Sequence, residues 1–237
     1  DTALRDAALG VDAVTQTAKT RRKKLLIADM DSTMVTGETL DELAAFAGVK
    51  DRVAAITARA MNGELDFEAA LDERVGLLDG MSTDMLAEAW KTVEYTGGAK
   101  TLVATMKANG AYAALVSGGF DFFTGAVRRE LGFDFDQANV LITKDGTLTG
   151  KVQKPVLDRQ AKVDALEKLS AQQGVGVEDA IAVGDGANDL QMISLAGTGV
   201  AFHAKPSVQE QARICINHGD LTALLYLQGY AKSDFSS

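Results

Sequence analysis

The stretch that decides the fold is Leu25-Leu26-Ile27-Ala28-Asp29-Met30-Asp31-Ser32-Thr33. Its first four residues are apolar, a pattern typical of a short strand buried on both faces of a parallel sheet. Two aspartates follow directly, two positions apart. Because ligands of open α/β sheets bind outside the carboxyl ends of the strands, we expect Asp29 and Asp31 to lie in a binding cleft.

Three further short apolar runs occur along the chain, at residues 113–116, 180–183 and 199–202. Helical patterns accompany them, at residues 99–108, 121–131, 159–169 and 190–196. Strands that alternate with helices predict an α/β fold with a doubly wound, Rossmann-like parallel sheet and right-handed crossovers. A small insert at residues 140–152 contains Lys144-Asp145-Gly146-Thr147, which predicts a hairpin turn.

The spacing of the first two strands predicts an inserted cap. More than eighty residues separate them, far more than one crossover helix needs. Residues 37–95 carry four helical patterns, and we expect them to form a small helical cap over the end of the first strand. Residues 21–36 and 96–237 would form the core. Residues 1–20 are expected to be a tail or linker, and one interpretation makes them the remnant of an upstream regulatory domain.

Composition and charge argue against several classes of protein. The formal net charge of −9 disfavours nucleic-acid binding, and no stretch approaches the roughly 20 apolar residues that span a bilayer. The single cysteine, Cys215, is interpreted as a buried strand residue and fits a reducing compartment. His203 and His218 lack a partner at metal-ligand spacing. We therefore expect a cytoplasmic protein without nucleic-acid or membrane partners; its oligomeric state stays open, with a homodimer as one alternative.

Polar segments follow the first three apolar runs and would meet at one edge of the sheet. Four like charges cannot share a small cleft without a cation, and an all-oxygen carboxylate site favours Mg²⁺. The segment after the second run, Ser117-Gly118-Gly119, offers a hydroxyl and backbone N–H groups for an anion. The predicted metal ligands are the aspartates of the other two segments: Asp29, Asp31, Asp185 and Asp189.

The two aspartates after the first run suit phosphate-ester chemistry. Phosphate monoesters hydrolyse very slowly without a catalyst, and attack by a carboxylate divides the reaction into two easier steps through an aspartyl-phosphate. Residues two apart on an extended segment face the same side, so both carboxylates can reach the phosphorus. We interpret Asp29 as the nucleophile and Asp31 as the general acid/base. A lysine should stabilise the phosphoryl oxygens, and the candidates are Lys151, Lys154 and Lys162.

Together these segments resemble the haloacid dehalogenase-like phosphotransferase superfamily and, within it, the phosphoserine phosphatases. The resemblance runs from about Lys23 to Leu227. Besides the aspartate pair and Ser117-Gly118-Gly119, it includes Glu38, Arg59-Ala60-Met61, Phe67, Arg74, Val183-Gly184-Asp185-Gly186-Ala187-Asn188-Asp189 and Ala201-Phe202-His203-Ala204-Lys205-Pro206.

The resemblance implies a role for each matching residue. Asp29 and Asp31 would be the nucleophile and the proton donor, with Lys162 as a third catalytic residue. Glu38 would bind the substrate ammonium, Arg74 its carboxylate, and Phe67 would close over it. The phosphate would be held by Ser117, Gly118 and Lys162. Asp185 would bind magnesium, and Asp189 would complete that edge with Asn188, which is also predicted to bind the substrate.

The implied function is hydrolysis of O-phosphoserine to serine and phosphate, the last step of serine biosynthesis. One alternative is a phosphotransferase that passes the phosphate to another alcohol, such as homoserine. A second is a non-catalytic protein that binds phospho-amino acids. A receiver-type signalling domain also has an acidic cluster and a lysine, but the long cap and the spacing of the aspartate pair argue against it.

Overall fold

The computed structural model describes residues 10–236; the predicted N-terminal tail lies in part, at residues 1–9, outside them. In chain order the strands β1 to β8 are Leu25–Ala28, Tyr112–Phe120, Phe135–Asn139, Leu141–Lys144, Thr147–Val152, Ala180–Gly184, Thr198–Phe202 and Ile214–Ile216. Helices α1 to α10 are Thr39–Phe46, Lys50–Met61, Phe67–Gly76, Asp84–Trp90, Ala99–Ala108, Asp121–Leu131, Arg159–Gln172, Leu190–Leu195, Pro206–Gln209 and Ala223–Leu227.

Six parallel strands form the central sheet, in the order β3-β2-β1-β6-β7-β8. The chain moves outward from β1 through β2 and β3, then returns to the other side of β1 for β6, β7 and β8. This confirms the predicted doubly wound sheet. The strand order reverses beside β1, so the carboxyl end of β1 lies at the switch point where such sheets bind ligands.

The alternation of side chains along β1 builds the core on both faces of the sheet. Leu26 and Ala28 pack in one apolar cluster with residues of α5, and Leu25 and Ile27 pack in a second cluster with residues of α7. All four side chains are fully buried. The uninterrupted apolar run is therefore explained by burial on two faces.

The observed elements correct several predicted details. Strand β3 was not predicted because Phe135–Asn139 is largely polar, as suits a strand at the edge of the sheet. Strand β2 continues to Phe120, so Ser117-Gly118-Gly119 lies in its last part and not after it. Cys215 does lie in a strand, β8, but is only half-buried.

The inserted elements lie over the carboxyl edge of the sheet. Helices α1 to α4 occupy the stretch predicted as the cap, residues 37–95. Strands β4 and β5 form the predicted antiparallel hairpin, with Asp145 and Gly146 both at positive φ in its turn. The hairpin contacts the α3–α4 region through bonds such as Leu148 N–H to Met81 O, 2.8 Å. Within residues 10–236, none of the helices is long and apolar enough to cross a membrane.

Gly199→Ala is expected to lower the free energy of unfolding by about 1–3 kcal/mol. A Cβ at Gly199 in β7 would lie 1.8 Å from the carbonyl oxygen of Ile193, so α8 would have to shift. Gly76→Ala is the matched control, because a Cβ there meets no atom within 4 Å. Thermal unfolding followed by circular dichroism compares the two; an unchanged Tm for Gly199→Ala would contradict the packing.

Candidate active site

A cleft of about 440 Å³ lies between the carboxyl edge of the sheet and the cap. Core and cap both contribute to it, and most of the predicted site residues meet there. The predicted residues that line the cleft are Asp29, Asp31, Glu38, Phe67, Arg74, Ser117, Gly118, Asp185 and Asn188. Asp189 and Lys162 are not among its lining residues and lie behind Asp29.

Lys162 joins two of the aspartates in a buried ion cluster. Its Nζ donates to Asp29 Oδ1 at 2.6 Å and to Asp189 Oδ1 at 2.5 Å. Burial and the neighbouring Asp189 raise the pKa of Asp29, and Lys162 opposes them. Burial lowers the pKa of Lys162, but the two carboxylates outweigh it and leave the pKa above its usual range. Lys162 therefore places a positive charge behind Asp29.

Three carboxylates are placed to share a metal ion. Oxygen atoms of Asp29, Asp185 and Asp189 lie within 4.8 Å of one another. Asp31, also predicted as a ligand, is not part of this group in the described part of the chain. Burial is the largest cause that raises the pKa of Asp185 to about 6, followed by the charges of Asp189 and Glu38. Hard oxygen ligands at this spacing suit Mg²⁺, so the site fits the ion that the sequence predicts.

The glycines of Gly184-Asp185-Gly186 explain how Asp189 reaches the cluster. A Cβ at Gly184 would lie 2.3 Å from the Asp189 carboxyl carbon, so a larger residue cannot occupy that position. The backbone N–H of Gly186 donates to Asp189 Oδ2 at 3.0 Å. The segment thus folds back on itself and presents Asp185 to the cleft while Asp189 is fully buried.

Asp31 lies in a separate environment from Asp29. Its Oδ1 accepts a hydrogen bond from the backbone N–H of Thr39 at 2.9 Å. Burial, reinforced by the charge of Glu38, raises the pKa of Asp31 to about 7. A Cβ at Gly119 would lie 2.9 Å from Asp31 Oδ2, which explains a glycine at that position. A carboxyl group with a pKa near neutrality can both donate and accept a proton.

The predicted anion-binding segment is held in place by Asn139, which the sequence did not indicate. Ser117 Oγ accepts from the Gly119 N–H at 2.9 Å, and the Asn139 amide donates to Gly118 O at 2.9 Å. Asn139 Oδ1 in turn accepts from the Leu157 N–H at 2.8 Å. The peptide between Gly118 and Gly119 is therefore fixed at both its C=O and its N–H. Asn139 ends a polar edge strand, so no motif distinguished it from a solvent-exposed residue.

The cap contributes one cation, Arg74, and two anions, Glu38 and Asp41, to the lining of the cleft. Arg74 Nε donates to Ala70 O at 3.0 Å; burial lowers the pKa of Arg74, against the charges of Asp41 and Glu38. The Glu38 carboxylate accepts from Ser32 Oγ at 2.6 Å. Asp41 lines the cleft but was not predicted as a site residue. The residues around it show only the pattern of an ordinary amphipathic helix.

The three candidate lysines lie in different environments. Lys162 is the buried one, as described above. Lys154 instead forms ion pairs with Glu68 at 2.7 Å and Asp72 at 2.8 Å in α3, and Lys151 does not line the cleft. Lys205 does line it, a placement that the sequence did not predict.

Comparisons with known proteins agree with this arrangement. Residues 26–194 match the family model of the haloacid dehalogenase-like hydrolases. The chain is 45% identical over 205 residues to a phosphoserine phosphatase of Methanocaldococcus jannaschii, an alignment that covers 86% of this chain and 97% of that protein. It is also 44% identical over 230 residues to a phosphoserine phosphatase of Streptomyces coelicolor, with 96% of this chain aligned. The chain spans only 56% of the length of that second relative.

A solved structure of a phosphoserine phosphatase has a similar fold. The structure described as a phospho-aspartyl intermediate analogue of phosphoserine phosphatase superposes with a TM-score of 0.80 at 45% identity, covering 86% of this chain and 98% of that one. The predicted resemblance is thereby confirmed over most of the sequence. The chain belongs to the haloacid dehalogenase-like hydrolases, within the phosphoserine phosphatase family.

Proposed function

We propose that the protein hydrolyses O-phosphoserine to serine and phosphate, the last step of serine biosynthesis. The observation that carries the proposal is that one cleft joins phosphoryl-transfer groups from the sheet with a cation and two anions from the cap. We also propose a cytoplasmic location, which rests on the single cysteine and its fit to a reducing compartment.

In the proposed first step, a carboxylate oxygen of Asp29 attacks the phosphorus and the bond to the serine oxygen breaks. Lys162 supports this step because its charge favours the ionised form of Asp29. Asp31, whose pKa is about 7, gives its proton to the departing serine oxygen. Free serine and an aspartyl-phosphate on Asp29 result.

In the second step, Asp31 is the base. It takes a proton from a water molecule, whose oxygen attacks the phosphorus, and the bond to Asp29 breaks. Inorganic phosphate leaves and both aspartates return to their initial protonation states. Ser117, Gly118 and Lys162 would hold the phosphoryl oxygens throughout.

Asp29, Asp185 and Asp189 would hold the proposed Mg²⁺. The ion, when bound, would supply positive charge for the phosphoryl oxygens and keep Asp29 ionised.

Substrate selection is proposed to lie in the cap. A phosphorylated amino acid carries an ammonium and a carboxylate, and Glu38 and Arg74 offer the opposite charges in the same cleft. The fork of an arginine can bind both oxygens of a carboxylate. The Phe67 ring lies close to Gly118: a Cβ built on Gly118 would be 3.6 Å from the ring. We therefore propose that Phe67 covers the bound substrate.

Glu38→Gln and Arg74→Ala should each raise KM for O-phosphoserine about tenfold or more, because each removes a charged hydrogen-bond partner. Both should change KM for p-nitrophenyl phosphate far less, since that substrate has neither ammonium nor carboxylate. Arg52→Ala, an exposed cap arginine outside the cleft, is the matched control. Steady-state assays of phosphate release, with serine measured by amino-acid analysis, provide the test. Equal losses on both substrates would contradict the assignment of these two residues.

Removal of divalent cations should abolish turnover of both substrates, and added Mg²⁺ should restore it. Independently of activity, calorimetry should find Mg²⁺ bound at least about tenfold more weakly by Asp185→Asn, because a metal ligand is lost. Asp51→Asn, at an exposed position in α2, is the control for the loss of one negative charge. Full activity in a chelator, or equal Mg²⁺ affinity in both variants, would contradict the proposed site.

A further inference from the structure

We infer that Thr39, the first residue of α1, is a positioning residue: its backbone N–H sets the Asp31 carboxylate for proton transfer. Asp31 is then correctly oriented for proton transfer only while the start of α1 is docked against the core. The inference rests on the proposed function, because it assigns to Thr39 a part in the reaction proposed above.

The contact is a hydrogen bond of ordinary length that is partly buried. The Thr39 N–H donates to Asp31 Oδ1 at 2.9 Å, and the Thr39 side chain is 2% exposed. The first N–H groups of a helix have no partner within the helix, so α1 gives up no bond of its own in binding Asp31. The positive end of the helix dipole also favours a carboxylate at this position. The buried Thr39 hydroxyl makes no hydrogen bond of standard geometry, but it lies close enough to the same carboxylate to help lower the pKa of Asp31.

The two aspartates differ in what holds them. Asp29 is bound by Lys162 of α7, a core helix, and its backbone N–H donates to Val183 O of β6. For Asp31, by contrast, the side-chain hydrogen bond found within residues 10–236 is the one from Thr39 in the cap. The nucleophile is therefore anchored by the core and the acid/base by the cap.

The backbone between Asp31 and Thr39 supports this coupling. The Ser32 N–H donates to Gly37 O at 3.1 Å and closes the turn that brings Thr39 back to Asp31. Beside this turn, Val35 pairs with Tyr95 in an antiparallel bridge that joins the two crossings between core and cap. A displacement of α1 would thus act on the segment that carries Asp31 and on the hydrogen bond that orients its carboxylate.

Thr39→Pro tests the inference, because proline removes the N–H at a helix position where proline is favoured. The preceding residue, Glu38, is already extended, with φ −100° and ψ 111°, as a residue before proline must be. Thr39→Val is the matched control, since it keeps the N–H and the branched shape. The readout is kcat/KM, which reports the steps up to release of the leaving group.

Thr39→Pro should lower kcat/KM for O-phosphoserine about tenfold or more, because an alkoxide needs a proton to leave. It should change kcat/KM for p-nitrophenyl phosphate little, because p-nitrophenolate leaves without one. Thr39→Val, which keeps the N–H, should lose much less kcat/KM for O-phosphoserine than Thr39→Pro. Equal losses on the two substrates, or no loss on O-phosphoserine, would overturn the positioning role.

Asp31→Ala separates the inference from the proposed function. If Asp31→Ala keeps full kcat/KM on O-phosphoserine, the acid/base assignment itself fails. If Asp31→Ala loses activity and a folded Thr39→Pro does not, only the role of Thr39 fails. A second readout does not need the proline variant to fold: the amide proton shift of Thr39 in NMR spectra should change in Asp31→Ala, and an unchanged shift would overturn the inference.

Discussion

The ion pairs of Lys162 are the constraint on which the active edge depends. Carboxylates gathered this closely would repel one another and take up protons without a positive charge among them. Lys162 supplies that charge from α7, at 2.6 Å from Asp29 and 2.5 Å from Asp189. Because Asp29 follows β1 and Asp189 precedes α8, this one side chain links three parts of the core. Loss of one member of such a buried cluster leaves an uncompensated charge, which is strongly destabilising.

In the proposed mechanism, the core and the cap contribute different catalytic groups. The groups that are proposed to act on the phosphorus belong to the core: Asp29, the segment Ser117-Gly118-Gly119 and the acidic edge around Asp185. Groups that would recognise the rest of the substrate, Glu38 and Arg74, belong to the cap. Asp31 lies between them, with its backbone in the core and its hydrogen-bond donor in the cap. A cap that assembles the acid/base as it closes would also keep water out until the substrate is bound.

The sequence predicted the parts of the fold that depend on local pattern and on strand ends. The run Leu25–Ala28 is apolar because both faces of β1 are covered. Because β1 lies at the point where the strand order reverses, its carboxyl end is the expected position of a ligand site. Strand β3 was not predicted because an edge strand needs no apolar run.

The contributions of Asn139 and Thr39 were not predicted for a different reason. Each makes a hydrogen bond across the fold: the Asn139 side chain donates to Gly118 O, and the Thr39 backbone N–H donates to Asp31. Such bonds leave no periodicity or motif. By position Lys162 was one of three candidates; the family resemblance selected it, and in the structure it is the one buried between two aspartates.

The most direct test of the account is to trap the phosphoryl group on the enzyme. Mixing with O-phosphoserine, quenching in acid within one turnover and mapping the peptides by mass spectrometry should locate the phosphate on Asp29. In Asp29→Asn the labelled peptide should be absent and turnover lost, while circular dichroism shows an intact fold. A phosphoryl group on another residue, or full turnover by Asp29→Asn, would contradict the central claim that this carboxylate is the nucleophile.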